Sequence, residues 1–180
     1  MNGKTLCCLV AIQMLRSAHA FAEPGNMCQK TDKPAKIATL ETPRGPASGK
    51  LCFENGASFS IGPTWVLLDG VKAPSLERHC KDDHSRPFCK FATISMDAFA
   101  DLIANGVACK AEKSEGSRWL STCTLPDGRD AGAVMVRQGF LCADKSRSSR
   151  FVEDEIDART NKRGLWADEI GYPDSDCGRK

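Results

Sequence analysis

LCFENGASFSIGPTWVLLDG, residues 51–70, alternates apolar and polar residues in three short runs, broken at Asn55-Gly56 and again at Gly62-Pro63. Asn-Gly supplies the backbone freedom that a tight hairpin turn needs, and Gly-Pro stops a strand by fixing one φ angle and removing a donor. The stretch therefore reads as strand, turn, strand, turn, strand, a small meander. Upstream, residues 23–49 carry Pro24, Pro34, Pro43 and Pro46 among scattered lysines, which suits an extended lead-in. Within it KIATLE, 36–41, is read as an added edge strand.

Downstream the period changes. In ISMDAFADLIANG, 94–106, Met96, Phe99, Leu102 and Ile103 recur at helical spacing and Gly106 ends the run. VACKAEKSEGSRWLSTC, 107–123, is two strands around a polar turn, and centring that hairpin on Gly116 sets Cys109 opposite Cys123. Opposed residues of an antiparallel pair lie about 4.5 to 5.5 Å apart at Cα, within reach of a disulfide. DAGAVMVRQG, 130–139, is a short helix with Asp130 as its cap and Gly139 after its end, and FLCA, 140–143, is one more short strand. SSRFVEDEIDARTNKRG, 148–164, places Ser148 and Ser149 near a helix start, acids in the first half, bases in the last turn and Gly164 beyond, as the helix dipole favours. Several strands with three interspersed helices and no βαβ rhythm predict an α+β fold built on a small closed or partly open barrel.

The first 22 residues read as a secretory signal peptide: a basic MNGK start, the apolar TLCCLVAIQML and the small-residue cleavage site Ala20-Phe21-Ala22. The apolar run is too short, and too soon interrupted by Arg16, to span a membrane. What remains, about 158 residues, suits one domain with a tail at 168–180. The chain has 25 basic and 23 acidic residues, and losing Lys4 and Arg16 with the leader brings the basic count to 23. A neutral chain argues against holding nucleic acid by bulk charge. Of ten cysteines, Cys7 and Cys8 lie in the leader, and the other eight, with no Cys-x-x-Cys pair among them, read as disulfides of an exported protein. Beside Cys109–Cys123 we expect Cys80 with Cys89, and the spacing leaves Cys28, Cys52, Cys142 and Cys177 unsorted.

Four segments in order, GASFSIGPTWVLLDGVKAPS (56–75), the 107–123 hairpin, AVMVRQGF (133–140) and the closing helix with Phe151, Glu155, Ala158 and RGLW (163–166), resemble the staphylococcal-nuclease-like, or thermonuclease, family. The resemblance covers 50–167 and implies a five-stranded OB-fold barrel with about three helices. Exported members include proteins labelled as succinoglycan, or exopolysaccharide, biosynthesis proteins. The family activity implies calcium held by two aspartates, a glutamate as general base and two arginines on the phosphate.

Carried over by position, the aspartates fall on Ala57 and Lys72, the glutamate on Ser75 and the strand arginine on Leu67; Arg118 is the one retained position. Calcium takes several oxygens with anionic charge among them. An ammonium at 4 Å would repel the dication by about 8 kcal/mol near a protein surface, and alanine and serine replace neither the oxygens nor the base. The chemistry therefore reads as lost, with no catalytic residue assigned, no metal and no cofactor.

The remaining candidates carry plainer readings. His79, Asp82, Asp83 and His84 in ERHCKDDHSRPFC (77–89) are zinc-ligand types but read as a solvated disulfide loop. Trp65 and Trp119 are candidates to stack on sugars or bases, while Trp166 packs under the closing helix. Lys145, Arg147 and Arg150 read as a solvated basic face. The leading expectation is an exported, inactive accessory or binding factor in exopolysaccharide production, with a polysaccharide or a protein of the biosynthetic complex as partner. The alternative is a secreted phosphodiester hydrolase with a rearranged site pairing Arg118 with Asp69, Asp127 or Asp130.

Overall fold

The structure, a computed structural model, describes residues 38–74, 87–172 and 177. The expected leader (residues 1–22), Cys28, Ser75, Cys80 and the candidate zinc loop residues 79–84 lie outside them. Among the described residues nine strands form, at Ala38–Thr42 (β1), Gly45–Ala47 (β2), Leu51–Asn55 (β3), Ser58–Ile61 (β4), Thr64–Leu68 (β5), Val71–Lys72 (β6), Val107–Glu115 (β7), Arg118–Thr124 (β8) and Cys142–Ala143 (β9). Three α-helices accompany them among the described residues: Phe91–Leu102 (α1), Ala131–Arg137 (α2) and Val152–Thr160 (α3). The fold is mixed α+β.

Seven strands make one sheet in the order β2-β1-β7-β8-β5-β4-β3, and β6 pairs with β9 in a second. The meander β3-β4-β5 is antiparallel as its turns dictate, whereas β5 runs parallel to β8 and β1 parallel to β7. β1 and β4 come into contact although β7, β8 and β5 separate them in the sheet, so the sheet is curled into a half-barrel. The KIATLE segment is therefore not an edge strand. Its Leu40, fully buried, helps fill the interior, and β2 with Pro46 takes the edge, where a missing N–H costs no ladder bond.

Phe53, Phe59 and Phe99 meet inside the curl with ring centroids 5.3 to 6.2 Å apart. α1 supplies Phe99 together with Met96 and Ile103, which is the apolar periodicity of its sequence turned inward. It begins at Phe91, ahead of the ISMD run, because Phe91 is buried in a second small cluster with Cys142, Leu165, Tyr172 and Cys177.

Cys109 and Cys123 are register partners and form a disulfide with Cα atoms 4.0 Å apart. The turn is the two-residue Gly116-Ser117, which alone would set Cys109 against Thr124. An extra residue, Glu112, bulges out between Ala111 and Lys113 and moves the register by one. Cys142 is joined to Cys177, which brings the C-terminal tail back onto the domain, and Cys52 and Cys89 are also disulfide-bonded.

Asp130 caps α2 by accepting the Ala133 N–H at 2.9 Å, as expected. The closing helix differs: Phe151 holds the cap position without a side-chain bond, and Ser148 accepts the Arg150 N–H in the turn before it. α3 also turns two of its four acids inward. Asp154 and Glu155 are buried while Ile156 is 48% exposed, so its acids anchor the helix as well as complementing its dipole.

Candidate functional site

Of the five positions singled out by the resemblance, Ala57, Leu67 and Arg118 lie where β3, β4, β5 and β8 run side by side, Lys72 lies on β6 in the second sheet, and Ser75 is outside the described residues. Ala57, in the turn between β3 and β4, is 2% exposed and part of the main apolar cluster. Its N–H donates to Asn55 Oδ1 at 2.8 Å and its carbonyl accepts the Leu68 N–H at 2.9 Å, so both ends of the turn are fixed. A methyl stands here in hydrocarbon, where a carboxylate would have to be desolvated. Leu67 is half-buried between Ser58 on β4 and Leu120 on β8. Lys72, on β6, is the register partner of Cys142 and makes no ion pair among the described residues.

Arg118 opens β8 opposite Trp65 on β5. Its guanidinium lies 5.4 Å from the Trp65 ring centroid and reaches on to the next two strands. Nη1 donates to Ser58 Oγ at 3.1 Å, Nη2 donates to Glu54 Oε1 at 2.8 Å, and Nη1 also contacts Glu54 Oε2, closing a two-pronged ion pair. The Arg118 hydrogen bonds hold the Glu54 carboxyl below the ordinary glutamate range, and Glu54 in turn raises Arg118.

Glu54 is the functional-looking residue that the sequence reading missed. Phe53 pairs with Phe59 but Asn55 pairs with Ser58, so Glu54 is the extra residue of a β-bulge. A bulge turns one side chain out of strict alternation, and here it aims a carboxylate at Arg118. The only signal in the sequence is the short spacing between Phe53 and the Asn55-Gly56 turn.

Of the acids considered for a rearranged site, Asp127 and Asp130 are engaged elsewhere. Asp127 pairs with Arg129, which lowers its pKa. Asp130 caps α2 and accepts from Arg150, and Asp69 lies near Arg147, whose charge it stabilises. The basic run 145–150 is exposed, as expected, and its cations are also paired: Lys145 reaches Glu155 at 3.2 Å, Arg147 holds Glu115 with both Nη atoms and Asp144 through Nε at 3.0 Å, and Arg150 binds Asp130 and Thr122. Three cations latch this loop to the hairpin, to α2 and to α3. Trp119 packs against the main core, and Trp166 lies under the guanidinium of Arg159 at 3.5 Å and edge-on to Tyr172.

Among the described residues no group of three metal-ligating side chains converges, and no helix is long and apolar enough to cross a membrane. No protein-family model matches the chain, and no curated protein matches it.

Proposed function

We propose that the half-barrel is an OB-fold of the staphylococcal-nuclease-like kind that no longer cleaves phosphodiesters, and that the chain works as an exported binding or accessory factor in exopolysaccharide (succinoglycan) production. One observation carries the loss of catalysis: the retained arginine, Arg118, is occupied at rest by the carboxylate that reaches it, Glu54. That leaves the metal position with a buried methyl at Ala57 and an amine at Lys72. Dication-assisted hydrolysis needs oxygens on the metal and cations aimed at the developing charge, and this arrangement offers neither. The curled sheet with parallel β5-β8 and a helix closing its interior supports the fold reading, and the disulfides suit an oxidising compartment.

The test is a calcium-supplemented assay of residues 23–180 against single-stranded DNA and RNA. No turnover is expected. Turnover that Arg118→Ala abolishes would replace this reading with the hydrolase. For the process, a deletion strain should change polysaccharide yield or chain length, and an unchanged product would remove that part of the proposal.

A further inference from the structure

An ion pair on a protein surface ordinarily stabilises by under about 1 kcal/mol and needs no explanation. The Arg118–Glu54 pair differs in how it is built. The guanidinium is oriented by Ser58 at 3.1 Å and by the Trp65 ring before Glu54 is counted, and Glu54 reaches it because β3 is bulged at that residue. Each prong of the fork meets one carboxylate oxygen. This is the planar, two-bond geometry with which arginine recognises a carboxylate belonging to another molecule.

We propose that Glu54 is an internal ligand: it occupies a carboxylate-binding fork made by Arg118, Ser58 and Trp65, and a carboxylate-bearing ligand enters by displacing it. The side chains of Arg118 and Glu54 are 37% and 35% exposed, so an incoming carboxylate reaches the fork from solvent. Glu54 stands on β3, the last strand of the sheet, beside the Asn55-Gly56 turn, and its side chain swings away without breaking a ladder bond. Ser58 and Trp65 stay in place because β4 and β5 are paired on both sides. The fork thus holds a bound and a free state that differ in one side-chain rotation. This deepens the binding-factor reading and rests on it for its purpose, but its test does not pass through nuclease activity.

The experiment is titration of residues 23–180 with sodium acetate at constant ionic strength, read by tryptophan fluorescence and by calorimetry. The wild type is expected to respond weakly, and Glu54→Ala to bind acetate about tenfold more tightly or better, the equivalent of one charge-assisted competitor removed. Glu54→Ala with Arg118→Ala should lose the gain. Glu54→Gln serves as a second variant if the alanine disturbs the edge strand, with thermal unfolding confirming that each protein is folded. A folded Glu54→Ala as silent as the wild type would overturn the proposal, as would a wild type that binds acetate equally well. Inorganic phosphate is the comparison: if Glu54→Ala prefers it to acetate, the fork reads charge rather than a carboxylate plane, and the assignment fails.

Discussion

Glu155, 1% exposed on α3, accepts the backbone N–H of Ala143 through Oε2 at 2.8 Å and so ties the closing helix to β9. Its other oxygen takes Arg159 at 2.9 Å and Lys145 at 3.2 Å. Glu155→Gln keeps the shape but removes the buried negative charge that Arg159 and Lys145 share. We expect a loss on the order of 3 kcal/mol, toward the low end for a buried pair because Arg159 is 18% and Lys145 41% exposed. Urea unfolding measures it, and a change under half that size would mean the network carries little.

Gly139 and Gly164 cross closely where α2 gives way to the last turn. A Cβ at Gly139, whose φ is +76°, would stand 2.1 Å from the Arg163 carbonyl oxygen, and the Gly139 carbonyl already accepts the Leu165 N–H at 2.9 Å. Gly116 has a similar φ, +59°, with nothing within 4 Å. Gly116→Ala should cost about 1 to 2 kcal/mol of backbone strain alone, and Gly139→Ala clearly more, because backbone must move as well. Equal midpoint shifts in a denaturant series would contradict the crossing.

Two of the disulfides close loops of different length. Cys109–Cys123 are 14 residues apart and Cys142–Cys177 are 35 apart. Loop-closure entropy gives about 3 kcal/mol for the first and nearly 4 for the second. The paired alanine variants should therefore lose stability in that order, and the reverse order would show that the hairpin bridge does more than restrict the unfolded chain.

Acid should loosen the Arg118 fork. Glu54 is depressed below its unfolded value of about 4.3. Its contribution is thus fully present above that value and is lost as pH falls through the lower folded one. Glu115 and Asp157, lowered by Arg147 and Arg163, move the same way. Carboxyl-carbon NMR should give Glu54 a titration midpoint below that of an unfolded glutamate, returning to the ordinary range in Arg118→Ala. A wild-type midpoint at or above the ordinary value would remove the ion pair from the account.

The elements legible in advance were those set by local rules. Asn55-Gly56 and Gly62-Pro63 marked the meander, the spacing of Met96, Phe99 and Ile103 marked α1, and Asp130 marked the start of α2. The Cys109–Cys123 pair was also legible, though a hairpin centred on Gly116 gave the right partners through a different geometry: a two-residue turn offset by the bulge at Glu112. Glu54 was not legible. A strict two-residue alternation does not foresee a bulge, and nothing local says that a carboxylate on β3 meets an arginine 64 positions later.

The sequence by itself determined the local elements, the eight cysteines beyond residue 22, and the residue types at Ala57 and Lys72, because these follow from residue identity and near-neighbour spacing. Only the tertiary structure decided that β1 lies inside the sheet, that α3 buries Asp154 and Glu155, and that Glu54 closes on Arg118. Those outcomes depend on desolvation and on charge partners brought together from distant strands by the curl, and such energies exist only once the chain has folded around them.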